Sequence, residues 1–232
     1  MSPDARVAIY WAPAEDDPLW HAACSWLGRD PARDAALTQP DLPGIAEITA
    51  DARLYGFHAT LKPPMRLAEG ATFAAFVAAA RDFAATIAPF DLPPLAVHDL
   101  DGFLALRETA HCPPLHALAD EAVARLDAFR RPPGEAELAR RRKSGLSPRQ
   151  EALLARWGYP YVFEEWRFHL TLTRRLTQAD MARVRPAVEA HLAPALTRPQ
   201  SVRDIALYVQ PAPGAAFVLR ERLSLREQVA AG

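Results

Sequence analysis

Phe57-His58-Ala59-Thr60-Leu61 returns in outline at Phe168-His169-Leu170-Thr171-Leu172, and this repeated phrase marks two strands around which the fold is organised. Random order would rarely produce even one such phrase in 232 residues that hold 7 histidines, so two copies are a signal. In an extended strand, side chains at i and i+2 leave one face and their neighbours leave the other. His58 and Thr60 therefore share a polar face, while Phe57, Ala59 and Leu61 share an apolar one. The second copy places Arg167, His169, Thr171 and Thr173 on the polar side, with Phe168, Leu170 and Leu172 opposite. Each strand offers a core its apolar face and a cleft an imidazole and a hydroxyl.

The surrounding pattern predicts α+β architecture. Val7-Ala8-Ile9-Tyr10-Trp11 reads as a first strand ended by Pro13, and 16–28 as a helix closed by Gly28. Pro63-Pro64 is expected to close the first motif strand, and Phe73, Phe76, Val77, Ala80, Phe83, Ala84 and Ile87 make a helical stripe within 71–88. Two strands over 95–106 should turn near Asp101-Gly102, followed by a helix at 115–130. The order then returns: a motif strand at 166–173, a helix at 178–192, and strands near 202–209 and 216–223.

The chain reads as a diverged internal duplication, one bilobal domain over 1–232. Lobe one is expected at about 1–112 and lobe two at about 113–232, with an inserted, partly helical segment at 131–160. Strands without regular βαβ alternation favour antiparallel sheets with helices outside them. If the lobes pack side by side, both polar strand faces meet across a central cleft.

Half of the residues are apolar and 24% are charged, an ordinary balance for a folded soluble chain. No stretch approaches the ~20 apolar residues of a membrane span, and the start, with Asp4, Arg6 and Tyr10-Trp11, lacks a signal-peptide layout. A cytoplasmic monomer with no membrane partner is the expectation. Cys24 and Cys112 are too few for a disulfide framework or a cysteine-rich zinc site. Net charge is −1, yet 130–175 carries 11 Arg and Lys against 5 Glu, a surplus that could collect an anionic substrate or simply be solvated.

Two imidazoles facing one cleft suit in-line cleavage of a phosphodiester, which needs a base on the attacking oxygen and an acid on the leaving one. With an ordinary pKa near ~6.5, histidine serves in either role. Thr60 and Thr171 can donate hydrogen bonds to the non-bridging oxygens. Lys62, on the same expected face, and Arg167 or Arg175 could add positive charge, and Tyr55 is a further candidate for substrate contact. A metal centre is disfavoured because neither phrase offers a second His, Asp or Glu at short spacing. The unrepeated His21, His98, His111, His116 and His191 read as structural or surface residues, and Trp11, Trp20, Trp26 and Trp157 as core or rim.

These paired phrases resemble the 2H phosphoesterase (LigT-like) superfamily, which includes RNA 2′,3′-cyclic phosphodiesterases, 2′-5′ RNA ligase-like proteins and ADP-ribose cyclic phosphodiesterases. Tyr55-Gly56-Phe57-His58-Ala59-Thr60-Leu61-Lys62-Pro63-Pro64, with Ile9-Tyr10 and Trp26-Leu27-Gly28-Arg29-Asp30, is similar to its DUF1045-like branch associated with phosphonate metabolism. The resemblance implies a bilobal fold with a pseudo-twofold axis and metal-independent, cofactor-free hydrolysis of a cyclic phosphodiester. It makes His58, Thr60, His169 and Thr171 the catalytic set. A cyclic ribose phosphate is the substrate suggested by the phosphonate association. Processing of RNA ends is the enzymatic rival, and a non-catalytic nucleotide or RNA-binding module is the rival of another class.

Overall fold

Apolar alternation around both motifs makes two strands that must bury one face, and a single antiparallel sheet does this for both. The computed structural model describes residues 2–143 and 145–226. Seven strands run in the order β11 (Val218–Ser224), β10 (Asp204–Gln210), β1 (Arg6–Trp11), β4 (Ala59–Met65), β8 (Leu170–Thr171), β7 (Phe103–Glu108) and β6 (Leu95–Leu100). Two small ribbons, β2 (Arg29–Asp30) with β3 (Ala35–Ala36) and β5 (Phe90–Asp91) with β9 (Ser201–Val202), lie outside it.

Phe57, Ala59, Leu61, Phe168, Leu170 and Leu172 all belong to the main core, as the alternation requires. Full burial of each phenylalanine contributes roughly 1.5–3 kcal/mol. Helices α1 (Pro18–Leu27), α4 (Phe73–Ala84), α5 (Pro113–Arg125) and α8 (Gln178–Leu196) supply the remainder of that core. Asp17 caps α1 by accepting from the Leu19 N–H, and Thr72 caps α4 by accepting from that of Ala75. Trp11, Trp20 and Trp26 are buried in the same core. The short helices α2 (Ile45–Ile48) and α3 (Ala50–Tyr55) lead into the first motif.

The sheet and its helices differ from the sequence expectations at five places. The sheet does not divide at residue 112: β6 and β7 flank the second motif strand, whereas β10 and β11 flank β1 and, through it, the first. Each half of the chain lends a hairpin to the other's motif, because strand alternation specifies a face and leaves the partner open. β4 continues through Pro63-Pro64, because register shifts against β1 supply the irregular ladder that proline needs. The helix expected at 115–130 ends at Arg125 and gives way to a 3-10 turn, Asp127–Phe129. The second motif strand shrinks to Leu170–Thr171, since the Leu172 and Thr173 N–H groups both donate to the Leu104 carbonyl. Thr173, expected on the polar face, is buried and accepts from the Leu104 N–H.

Asp101 and Gly102 form the two-residue turn between β6 and β7, both at positive φ, 51° and 97°. Segment 131–160 holds α6 (Glu135–Arg142) and α7 (Pro148–Trp157). Leu153 of α7 packs with Val123 and Val162 in a separate small core, with Tyr159 against it. No helix among the described residues is long and apolar enough to cross a membrane.

Candidate active site

The two motif strands are neighbours, joined through the single antiparallel pair Ala59 and Leu170. One step along this register puts Thr60 across from His169 and His58 across from Thr171, a local twofold relation between the motifs. Two indoles hold the junction: Trp166 donates to the Thr60 carbonyl (2.8 Å) and Trp26 to that of Leu172 (3.0 Å). The polar faces of both strands therefore form one floor opposite the helices.

Each imidazole is tethered through its inner nitrogen. His58 Nδ1 donates to the Gly56 carbonyl at 2.9 Å, and His169 Nδ1 donates to that of Arg167 at 2.8 Å. A carbonyl can only accept, so Nδ1 carries the proton and Nε2 is the basic atom of each neutral ring. The Thr60 hydroxyl lies 3.2 Å from His58 Nε2 and donates to it. Gly56 is required for this turn: its φ is 78°, and a Cβ would lie 2.7 Å from Pro31 Cγ.

Burial holds the His58 pKa down at about 4; the Gly56 hydrogen bond opposes it and the charge of His169 reinforces it. Burial also lowers His169, against its bond to Arg167, with the charge of Arg107 adding to the shift. The histidines are not equivalent. His58 lies face to face with Tyr10, ring centroids 3.7 Å apart, whereas His169 meets the edge of Phe103 at 5.9 Å.

Arg107 is the functional candidate that sequence reasoning missed. The β7–β8 ladder pairs Ala105 with Thr171 and Leu106 with Leu170, so its next step sets Arg107 across from His169 on the cleft face. Its Nε is buried with no hydrogen-bond partner among the described residues, and its Nη2 lies 4.0 Å from the Glu108 carboxylate. Alternation within 103–108 could have placed Arg107 on a polar face; only the pairing of β7 with β8 placed it beside a histidine.

Tyr55, partly exposed, stacks on Phe217 at 5.1 Å and over His58 at 6.1 Å. Arg167 and Arg175 gather instead at the β6–β7 turn. Arg167 is 67% exposed and 4.0 Å from Asp101, and Arg175 donates to the Asp101 carbonyl.

Lys62 departs from expectation. A bulge beside Leu61 breaks the alternation, and Lys62 is 2% exposed. Its ammonium donates to the Val123 carbonyl (2.9 Å) and pairs with Asp127 (3.5 Å). Burial lowers its pKa to about 8 despite Asp127. This is a brace between β4 and the end of α5, so Lys62→Met is expected to keep kcat/KM within about threefold of wild type. A hundredfold loss, measured on a turned-over substrate, would return Lys62 to the site.

The architecture is that of the LigT-like 2H phosphoesterase fold. The crystal structure of E. coli LigT complexed with NADP+ matches with a TM-score of 0.50 and 14% identity, over 97% of this chain and 100% of that one. The family described as "Protein of unknown function (DUF1045)" matches residues 60–218, and this chain belongs to it. Two curated relatives are each named ribose 1,5-bisphosphate phosphokinase PhnN, from Janthinobacterium sp. (strain Marseille) and Laribacter hongkongensis (strain HLHK9). Each is 42% identical, over 96% and 92% of this chain respectively. The chain spans about half the length of these relatives, 51% and 50%.

Proposed function

We propose that the protein hydrolyses a small cyclic phosphodiester by two-histidine acid–base catalysis without a metal ion. The observation that carries this reading is the adjacency of the two motifs, each histidine tethered through Nδ1 with its Nε2 left for chemistry. His58, kept neutral to about pH 4, takes a proton from water as the water oxygen attacks phosphorus. The P–O bond to the ring breaks, His169 gives its Nε2 proton to the departing oxygen, and a phosphomonoester results. Thr60, Thr171 and Arg107 hold the charge that grows on the non-bridging oxygens.

A ribose cyclic phosphate is the substrate class we favour. The relatives' name refers to a phosphorylated ribose. Their phosphokinase activity is not carried over, because this sequence contains no Gly-x-x-x-x-Gly-Lys-[Ser/Thr] loop to cradle a nucleotide's phosphates.

Turnover in EDTA of a ribose 1,2-cyclic phosphate, nucleoside 2′,3′-cyclic phosphates and a short RNA with a cyclic end tests this. The ribose compound should be cleaved fastest. RNA cleaved best, with affinity falling steeply as salt rises, would move the substrate to nucleic acid. Binding of nucleotide without turnover would support a recognition module, and loss in EDTA restored by one divalent metal would overturn the two-histidine chemistry.

A further inference from the structure

Alternation along β7 sets Phe103, Ala105 and Arg107 on the cleft face and Leu104, Leu106 and Glu108 on the face that packs into the core. Leu104 and Leu106 are fully buried, so the third position of this apolar series is filled by a carboxylate. The Glu108 side chain is only 6% exposed. A buried carboxylate is destabilising unless cations or hydrogen-bond donors compensate it.

Glu108 finds that compensation at the end of β7, beside the site. Its Oε1 lies 3.8 Å from Nε2 of His116, on α5, and 4.0 Å from Nη2 of Arg107, an electrostatic contact longer than a hydrogen bond in both cases. Its Oε2 has no hydrogen-bond partner among the described residues, and neither have Arg107 Nε and His116 Nε2. The other titratable groups at this junction are His111, whose ring is 4.5 Å from that of His116, Asp120 one turn further along α5, and His169 across the ladder from Arg107. Trp166, which holds the Thr60 carbonyl, meets the His116 ring edge-on at 4.9 Å. The junction therefore touches both motifs.

Arg107 and His169 make conflicting demands on one place. The first must bring positive charge to the phosphoryl oxygens and the second must hold a proton, yet two cations facing each other on adjacent strands repel. We propose that Glu108 is a positioning residue, which anchors the Arg107 guanidinium and offsets its charge so that guanidinium and imidazolium coexist at the cleft. This rests on the hydrolase reading above, with Arg107 in the site. The charges of Arg107 and Glu108 act on His169 in opposite senses, the arginine lowering its pKa and the carboxylate raising it.

The test is the pH dependence of kcat/KM for Glu108→Gln on the ribose 1,2-cyclic and nucleoside 2′,3′-cyclic phosphates. Relative to wild type, the loss should be about 3- to 10-fold larger at about pH 7.5 than at about pH 5, because His169 gives up its proton more readily once the carboxylate is gone. Glu108→Asp, which keeps the charge, should hold the wild-type ratio between the two pH values. Arg107→Leu moves the alkaline limb the other way, so adding Glu108→Gln to it should bring the limb back toward wild type. That double variant leaves no buried charge without its partner and is expected to fold even where a single one does not. Equal losses at both pH values, or a double variant whose limb stays with that of Arg107→Leu, would overturn the role.

Titration of His169, followed by NMR of its isotope-labelled ring, reads the same charge balance without turnover. Glu108→Gln should lower the midpoint and Arg107→Leu should raise it. If wild type cleaves none of the compounds, the hydrolase reading fails, while these midpoints still decide the role of Glu108. A midpoint that Glu108→Gln leaves unmoved overturns it as well.

Discussion

Replacing His58 or His169 with alanine is expected to lower kcat/KM by ~10²–10⁴ in each case, because each change removes one end of the proton path. The double variant should fall little further than the worse single one, since acid and base act in one concerted displacement. A single variant that keeps near-wild-type turnover would refute the pairing. The pH profile carries an independent signature. The free enzyme must hold His58 neutral and His169 protonated, so kcat/KM should rise through about pH 4 and fall again below the ordinary histidine value of ~6.5.

Stability should respond in a defined direction. The folded state favours neutral His58, so between pH 6.5 and about 4 the unfolded chain binds the proton first. Stability therefore falls as pH is lowered through that window, by up to about 3 kcal/mol from this group. It is unaffected by it above pH 6.5. Denaturant melts of wild type and His58→Phe across the window should diverge, with the variant flatter.

Arg107→Leu is expected to lower kcat by ~10²–10³, the scale of removing one preorganised charge donor from a developing oxyanion. Arg107→Lys should recover part of the loss, because it restores the charge without the planar fork. A second readout separates this role from a structural one. Arg107 holds the His169 pKa down, so its removal should move the alkaline limb of the profile upward. Turnover of Arg107→Leu within about threefold of wild type, with an unshifted limb, would exclude Arg107 from the site.

Much of the site was legible because strand alternation is a local property. A repeat of two residues separates His58 and Thr60 from Phe57, Ala59 and Leu61 without knowledge of any partner, and the observed burial follows that division. Arg107 was not legible, because an arginine in 103–108 becomes relevant only when β7 pairs with β8. Lys62 misled for the opposite reason. Alternation fails at a bulge that only the pairing of β4 with β1 creates, and the bulge turns the lysine toward α5. Tyr10 reads as one more apolar residue of the first strand, yet its ring supports His58.

Short-range periodicity specifies the α+β class, the two motif strands and their polar and apolar faces, and so the side of each strand on which His58, Thr60, His169 and Thr171 stand. Which strands become neighbours is a property of the folded sheet: each half's hairpin crosses to the other's motif, and β7 brings Arg107 beside His169. The physical reason is that alternation is written in the backbone geometry of a few consecutive residues. The choice of pairing partner is instead settled by burial and register over the entire sheet.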